Sequence, residues 1–204
     1  MNEYQSKVAI VDDDDFVRDS LTELLDSVGY QSKAYANAEE FLGDFNPSVI
    51  GCILLDVRMP GMSGIEVQKQ LKNTNIPTPV IIMTGHGDIA MAVQAMKDGA
   101  FEFIQKPFRD QDILDIISKA LDKNIKVTQE INKFKEIQGR ITLLTDRERE
   151  VIDCVLDGKV NKLIARELGV SDRTIELHRS HAMKKLHVNS VAELVKMMLY
   201  EKKH

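Results

Sequence analysis

Four short apolar runs of the sequence each end in a side chain that can take part in chemistry. The groups at these ends are the carboxylates of Asp12, Asp13, Asp14 and Asp15, the carboxylate of Asp56, the hydroxyl of Thr84 and the amine of Lys106. Short apolar runs that end in turn-forming residues are typical of buried strands. Open α/β sheets gather their ligand groups at the carboxyl ends of the strands, so we expect these groups to meet at one edge of a parallel sheet.

This set of groups favours phosphoryl chemistry. Crowded carboxylates repel one another and resist ionisation, and a divalent cation relieves that repulsion. Magnesium prefers a few carboxylates, keeps several waters and often bridges to phosphate oxygens. One carboxylate can then attack a phosphoryl group and form an aspartyl phosphate, while Lys106 and the Thr84 hydroxyl hold the phosphoryl oxygens. A run of four Asp alone is more often a solvated loop or a helix cap. It supports a metal site here only because Asp56, Thr84 and Lys106 follow it in order at the ends of later strands.

The elements that must position these groups alternate along the first part of the chain. The predicted strands span residues 8–11, 31–35, 49–56, 80–83 and 101–105. The predicted helices span residues 16–28, 38–45, 65–72 and 89–97, the last of them carrying Val93 and Met96, and a fifth helix begins at Asp110. Five strand–helix alternations predict a doubly wound, five-stranded parallel sheet of the α/β class.

The helix that begins at Asp110 continues well past the last strand. Its apolar stripe, with spacings of three and four, is formed by Ile113, Ile117, Leu121, Ile125, Thr128, Ile131 and Phe134. Neither Pro nor Gly occurs in it before Gly139. The periodicity predicts one long linker helix, which could pair with its copy in a dimer. A frayed helix followed by a flexible linker is the alternative.

The end of the chain has the pattern of an all-α, four-helix domain. Thr145 and Glu148 match the capping box that opens a helix. A short helix over residues 162–168 is followed by a Gly-containing turn and by a longer helix that Ser171 caps; a fourth helix begins after Ser190. A helix, a tight turn and a second helix form the helix-turn-helix pattern, whose second helix enters the major groove of DNA.

Length and charge agree with two domains of different character. The 204 residues are 43% hydrophobic and carry a net charge of −5, yet residues 145–204 hold 12 Lys and Arg against 10 Asp and Glu. This asymmetry fits an acidic regulatory half and a nucleic-acid-facing half. The predicted limits are 1–121 for the α/β domain, 122–143 for a largely helical linker and 144–204 for the helical domain. No apolar run of about 18 residues and no signal peptide occur, so we expect no membrane span and a cytoplasmic protein.

The strand-end motifs resemble those of receiver domains, which belong to the response regulators of two-component signalling. The motifs are Val11-Asp12-Asp13, Asp56 with Met59-Pro60-Gly61-Met62-Ser63-Gly64, Thr84-Gly85-His86-Gly87 and Lys106-Pro107-Phe108. The resemblance implies a flavodoxin-like (CheY-like) fold with Asp56 as the phosphoacceptor, assisted by Thr84 and Lys106. It implies a regulator and not an enzyme, with at most slow self-dephosphorylation. We also expect the Lys106–Pro107 peptide bond to be fixed, and a cis bond would aim the amine.

The same resemblance implies a site for Mg²⁺ or Mn²⁺. The expected direct ligands are Asp13, Asp56 and the backbone carbonyl of Arg58, with Asp12 acting through water. Asp14 and Asp15 fit a helix cap better than a metal site. The ring of Phe103 is expected to act as a switch that turns inward when Thr84 moves toward the phosphoryl group.

The C-terminal segment resembles the LuxR-type DNA-binding domain, and Thr174-Ile175-Glu176-Leu177-His178-Arg179 is the most specific piece of the match. The resemblance implies contacts of Glu176, Leu177 and Ser180 with base edges. The other expected DNA-binding residues are Arg173 and, at phosphates, Thr174, His178, Arg179, Lys184 and Lys185. Val160 departs from the family pattern, in which a Ser precedes the first helix of the motif, so Asn161 is expected to cap that helix instead.

Together these features predict a response regulator of the FixJ type. The expected partners are a sensor histidine kinase, double-stranded promoter DNA, RNA polymerase and a second copy of the chain. The dimer is expected to form on phosphorylation through a surface that includes Val93, Lys97 and Glu102.

Two alternatives stay open at this point. Asp13-Asp14-Asp15-Phe16-Val17 after a strand also fits the nucleophile motif of haloacid-dehalogenase-like phosphatases, with Asp13 as the nucleophile, but that leaves Asp56 and the helical tail unexplained. A DNA-binding regulator that works without phosphorylation is the other alternative, and the intact acidic set argues against it.

Overall fold

The computed structural model describes residues 7–73, 77–85 and 89–203. It divides into two compact units, Met1–Thr128 and Gln129–His204. The sequence-based domain limits given above stay a prediction, because compactness alone does not define a domain boundary.

The first unit is built on a parallel five-stranded sheet. Its strands are β1 (Lys7–Val11), β2 (Ser32–Tyr35), β3 (Ile50–Asp56), β4 (Val80–Thr84) and β5 (Glu102–Gln105), in the order β2-β1-β3-β4-β5. All neighbouring pairs are parallel. β3 lies in the middle of the sheet and all seven of its residues are buried, as expected for a strand covered on both faces. The predicted doubly wound sheet is confirmed.

Helices cover both faces of this sheet. They are α1 (Asp15–Ser27), α2 (Ala38–Asp44), α3 (Gly64–Asn73), α4 (Ile89–Lys97) and the long α5 (Asp110–Thr142). One core contains Leu25 of α1 and Ile113 and Ile117 of α5, and the other contains Phe41 of α2 and Val67 of α3. Because the helices cover the two faces, the edge of the sheet formed by the carboxyl ends of the strands is available for a ligand.

The apolar residues of α4 are divided between the core and the surface. Ala92 and Ala95 are buried against the sheet, whereas Val93 is 46% and Met96 36% exposed. The two large side chains singled out in the sequence thus lie on the outer face of the helix. Its inner face uses small residues, which allow the helix to pack closely.

Helix α5 is continuous over 33 residues, which confirms the predicted long helix and rules out a frayed linker. Gly139, which marked the end of the predicted helix, lies inside α5. A Gly in a helix costs only about 1 kcal/mol relative to Ala. Burial of Ile137 and Ile141 in the core of the second unit offsets that cost.

The second unit adds four helices to the last turns of α5. They are α6 (Asp146–Leu156), α7 (Asn161–Leu168), α8 (Asp172–Leu186) and α9 (Val191–Lys203). The predicted capping box is present, since the side chain of Thr145 accepts a hydrogen bond from Glu148 N and the Glu148 carboxylate accepts one from Thr145 N. Ser171 caps α8 as predicted. In the part of the chain that the structure describes, no helix is long and apolar enough to cross a membrane.

Candidate functional site

Sheet register brings the predicted reactive residues to one edge. Val11 pairs with Leu55 in the neighbouring strand, so Asp12 lies beside Asp56 at the ends of β1 and β3. Thr84 ends β4, and Lys106 follows β5 directly, with its backbone N–H donating to the Thr84 carbonyl at 2.7 Å. The strand ends thus gather two carboxylates, a hydroxyl and an amine, as the sequence predicts.

Lys106 forms the centre of this group. Its Nζ donates a hydrogen bond to Asp12 Oδ2 at 2.5 Å and another to Asp56 Oδ1 at 2.6 Å. Asp12 is 1% and Asp56 7% exposed, so both carboxylates are nearly removed from water. The Lys106–Pro107 bond is cis. One ammonium is therefore the shared counter-ion of two buried acids that are remote in sequence.

The pKa values of these groups follow from that arrangement. Burial raises the pKa of Asp56 above its ordinary value, and the contact with Lys106 counteracts the rise only in part. Burial favours the neutral form of Lys106, but the hydrogen bonds to Asp12 and Asp56 outweigh it and leave the pKa of this amine raised. The site thus combines an acid that resists ionisation with a firmly charged cation.

The four acids that follow β1 have different roles in the structure. Asp14 caps α1, with its side chain accepting from Phe16 N at 2.9 Å, so this acid is a helix cap as predicted. Asp15 forms an ion pair with Arg18. Asp13 is exposed beside the buried Asp12. Asp12 and Asp13 are thus the two acids of this run that are available to bind a ligand at the sheet edge.

The chemistry of this edge fits a hydrated divalent cation. Within the described ranges, no three Asp, Glu, His or Cys side chains lie close enough together to enclose a metal. Mg²⁺ does not need such a cage, because it keeps several waters and commonly uses one or two protein carboxylates together with phosphate oxygens. Two adjacent acids, Asp12 and Asp56, with exposed Asp13 next to them, match that requirement.

Arg18 and Gly64 also shape the site, although neither was predicted to contact its reactive residues. Arg18 is only 14% exposed and its Nη1 donates to the backbone carbonyl of Asp12 at 2.6 Å. Gly64 begins α3 so close to β3 that a Cβ on it would overlap the carbonyl oxygen of Asp56. Arg18 could have been found from its helical spacing to Asp15. The close approach at Gly64 depends on tertiary packing and has no local signal.

The backbone of the loop after β3 also contacts the phosphoacceptor candidate. Arg58 N donates to Asp56 Oδ2 at 2.6 Å, which leaves the two carboxylate oxygens with different partners. Gly64 N donates to the Val57 carbonyl at 3.1 Å and closes the loop. The Arg58 carbonyl, predicted as a metal ligand, is part of this same short loop.

The predicted switch and dimer residues lie on one side of the first unit. Phe103 is 40% exposed on β5, while Thr84 is buried. Val93 and Lys97 are exposed on α4, and Glu102 is half-buried at the start of β5. His86 and Gly87 of the predicted Thr84-Gly85-His86-Gly87 motif lie outside the described residues.

The helix-turn-helix pair is α7 and α8. Gly169 ends α7 in the left-handed conformation with φ 67°, and Ser171 opens α8 two residues later. The predicted base-reading residues, Glu176, Leu177 and Ser180, are all exposed on α8. Leu177 is 55% exposed, which is unusual for an apolar residue and is suited to contact with a thymine methyl group.

The predicted phosphate-binding residues do not all face solvent. Arg173 and Lys184 are exposed, whereas Arg179 Nη1 donates to Asn161 Oδ1 at 2.9 Å and Lys185 Nζ donates to Glu148 Oε2 at 2.6 Å. Thr174 and His178 are half-buried, and the Thr174 hydroxyl lies 2.8 Å from that of Ser171.

The expectation that Asn161 caps α7 is wrong. Val160 holds the N-cap position without a side-chain hydrogen bond, and Asn161 is already inside the helix. Its amide oxygen accepts from Arg179 instead. The helix start therefore lacks a cap, and Asn161 joins the two helices of the motif.

A phosphoacceptor-type α/β unit followed by a helix-turn-helix unit defines a two-component response regulator. The sequence matches the model of the response regulator receiver domain over residues 8–118 and that of the luxR family of bacterial regulatory proteins over residues 142–198. The chain belongs to the FixJ-type response regulators, a family of transcriptional regulators and not of enzymes. The phosphatase alternative is accordingly wrong.

Individual relatives are similar to this chain along nearly its whole length. The transcriptional regulatory protein FixJ of Bradyrhizobium diazoefficiens is 41% identical over 94% of each chain. The response regulator protein TmoT of Ectopseudomonas mendocina is 41% identical over 97% of this chain and 90% of its own. The solved structure of the response regulator StyR is similar, with a TM-score of 0.92 and 41% identity, over 98% of this chain and 99% of that one.

Proposed function

We propose that a histidine kinase phosphorylates Asp56 and that this modification controls binding to promoter DNA. The observation that carries the proposal is the position of Lys106, whose Nζ contacts both Asp12 and Asp56. A buried carboxylate beside a fixed cation is suited to accept a phosphoryl group, because the cation then stabilises the added negative charge.

The transfer uses the side chains at the sheet edge. A carboxylate oxygen of Asp56 attacks the phosphorus of the kinase phosphohistidine, a new O–P bond forms and the P–N bond breaks, leaving its electron pair on the imidazole, which takes up a proton. Lys106 and the Thr84 hydroxyl then hold phosphoryl oxygens. Asp13, Asp56 and the Arg58 carbonyl would hold Mg²⁺ or Mn²⁺, with Asp12 acting through water, and the bound ion would neutralise part of the phosphoryl charge.

Phosphorylation biases the first unit toward a dimer-forming state. The modification adds up to about two negative charges and new acceptor oxygens, which draw in Thr84 and free space for the Phe103 ring. The surface of α4 and β5 that includes Val93, Lys97 and Glu102 then pairs with a second copy. A shift from mostly inactive to mostly active requires about 5.5 kcal/mol, which several charge-assisted contacts and a dimer interface together supply.

Dimerisation serves DNA recognition. Two α8 helices on neighbouring half-sites bind much more tightly than one. Glu176 is suited to accept from a cytosine amino group, and Leu177 and Ser180 lie on the same exposed face. Bound to a promoter in the cytoplasm, the dimer would act on RNA polymerase.

The phosphoacceptor is tested with a small phosphodonor. The full chain is treated with acetyl phosphate and Mg²⁺, and its intact mass is measured. We expect one acid-labile phosphoryl group on the wild type and on the exposed control Asp19→Asn, and none on Asp56→Asn. Phosphorylation of the Asp56→Asn variant would refute the assignment. Mass in solution before and after treatment tests dimerisation.

A further inference from the structure

Two adjacent lysines in the last turn of α8 point in different directions. Lys184 is exposed, whereas the Nζ of Lys185 donates to Glu148 Oε2 at 2.6 Å. The side chain of Glu148 is only 5% exposed, and that of Lys185 is 35% exposed. The basic cluster at this end of the helix therefore contains one outward and one inward cation.

Glu148 joins the start of α6 to the end of α8. The oxygen that accepts from Lys185 also accepts from Thr145 N, at 2.8 Å, in the capping box of α6. Burial raises the pKa of Glu148, but the hydrogen bonds from Lys185 and Thr145 outweigh it and hold the pKa below the ordinary 4.5. A buried carboxylate left without such donors is strongly unfavourable, so this contact restrains both helices.

Other side chains restrain the same helix from neighbouring elements. Arg140 Nη1 of α5 donates to the Leu186 carbonyl at the C-terminal end of α8, at 3.4 Å. Arg179 Nη1 donates to Asn161 Oδ1 at the start of α7, at 2.9 Å. The middle and the C-terminal end of α8 are thus held by side-chain hydrogen bonds to α7 and α5, while near its N-terminal end Ile175 is buried in the core and Glu176 and Leu177 are exposed.

We infer that Lys185 is a positioning residue for DNA recognition: its ammonium group fixes the C-terminal end of α8 on Glu148 and does not bind a DNA phosphate. The inference rests on the proposed binding of DNA by α8. The predicted base-reading residues Glu176, Leu177 and Ser180 lie five to nine residues before Lys185 on the same helix. A rotation of α8 about the buried Ile175, after loss of the Glu148 contact, therefore changes their position relative to the base edges. Base contacts are sensitive to such a displacement, whereas phosphate contacts to non-specific DNA tolerate it.

The test compares Lys185→Met with the matched control Lys184→Met in the full chain. The DNA is the tightest 30-base-pair duplex that the wild type selects from a randomised pool, and a scrambled duplex of the same composition serves as non-specific DNA. All titrations are made well below the melting temperature of the least stable variant, so that every protein is folded. Affinity for both duplexes is measured as a function of salt concentration.

We expect the two variants to change DNA binding in different ways. Lys184→Met should weaken binding to both duplexes alike and reduce the slope of log K against log salt by about 0.9 for each bound subunit, because a phosphate contact is lost. Lys185→Met should leave the slope unchanged and lower the ratio of specific to non-specific affinity by roughly tenfold, a change equal to one lost base contact.

A second substitution separates positioning from simple loss of charge. Gln at position 148 can still accept from Thr145 N and needs no cation, so Glu148→Gln combined with Lys185→Met leaves no unpaired buried charge but also no ion pair between α6 and the end of α8. This double variant should keep the lowered specificity ratio of Lys185→Met. Recovery of the wild-type ratio would show that the unpaired charge, and not the lost ion pair, reduced specificity. A reduced salt slope in Lys185→Met, or a specificity ratio equal to that of the wild type, would overturn the inference. Failure of the wild type to select any duplex would instead count against DNA binding itself.

Discussion

The Nζ of Lys106 donates a hydrogen bond to Oδ1 of Asp56 at 2.6 Å although 50 residues separate the two in the sequence. The same ammonium contacts Asp12, so it is the shared partner of two buried carboxylates. Each acid lies at the end of a buried strand and cannot move away from the other without disturbing the sheet. We therefore expect this cation to stabilise the first unit, in addition to the chemistry proposed for it.

Replacing Lys106 by Met should destabilise the first unit. We expect a loss of about 3–5 kcal/mol in the free energy of unfolding at neutral pH without divalent metal, because two buried acids lose their counter-charge. Chemical denaturation measures the change, with the exposed Lys119→Met as control. Added Mg²⁺ should stabilise Lys106→Met more than the wild type. Equal denaturation midpoints for Lys106→Met and the wild type would contradict the prediction.

Substitution of Gly64 should affect the site through the backbone. A Cβ at this position overlaps the Asp56 carbonyl oxygen, so Gly64→Ala must displace the loop that holds Asp56. We expect a loss of about 1–3 kcal/mol in stability and slower phosphorylation by a small phosphodonor. Gly43→Ala is the matched control, since Gly43 lies in α2 with open space around its Cβ position, and it should be neutral or slightly stabilising. The prediction fails if the two variants behave alike.

The last turns of α5 should be required for a stable second unit. Ile137 and Ile141 are buried in its core, together with residues of α6 to α9. A fragment of residues 129–204 should therefore fold more stably than one of residues 144–204, by about 3–6 kcal/mol for two buried isoleucines. Thermal unfolding followed by circular dichroism compares the two. Similar melting temperatures would show that α5 contributes little to this core.

Acid should weaken the second unit through Glu148. Its pKa in the folded protein lies below the ordinary 4.5, so the folded state binds fewer protons than the unfolded chain between these two values. The stabilisation is therefore complete above about pH 4.5 and is lost as the pH falls through the folded pKa. Denaturation at a series of pH values should show a steeper acid loss for the wild type than for Lys185→Met. Parallel curves would mean that the ion pair contributes nothing to the pH dependence.

The fold could be predicted because its signals are local. The apolar run from Ile50 to Leu55 ends abruptly in Asp56, and amphipathic helices with clear caps follow each strand. Register then brings Asp12, Asp56 and Lys106 together without further information, because parallel strands end at the same edge. The capping box at Thr145 was equally visible, since its two partners are three residues apart.

What the sequence did not show depends on the tertiary structure. The basic residues of α8 look alike in the sequence, yet Lys185 and Arg179 contact Glu148 and Asn161 while Lys184 is exposed. The direction of a long flexible side chain is decided by which partner lies opposite, and that partner is 37 residues away for Lys185. The same applies to Gly64, because the atom that it approaches closely is the carbonyl oxygen of Asp56 at the end of β3.

Asp56 is the final residue of a strand in which every position is buried. An unfolded chain keeps the carboxylate but lacks its setting, because the Lys106 ammonium and the Arg58 amide are brought to Asp56 by the folded sheet. On the proposed function, a kinase would therefore pass its phosphoryl group only to molecules whose sheet has formed.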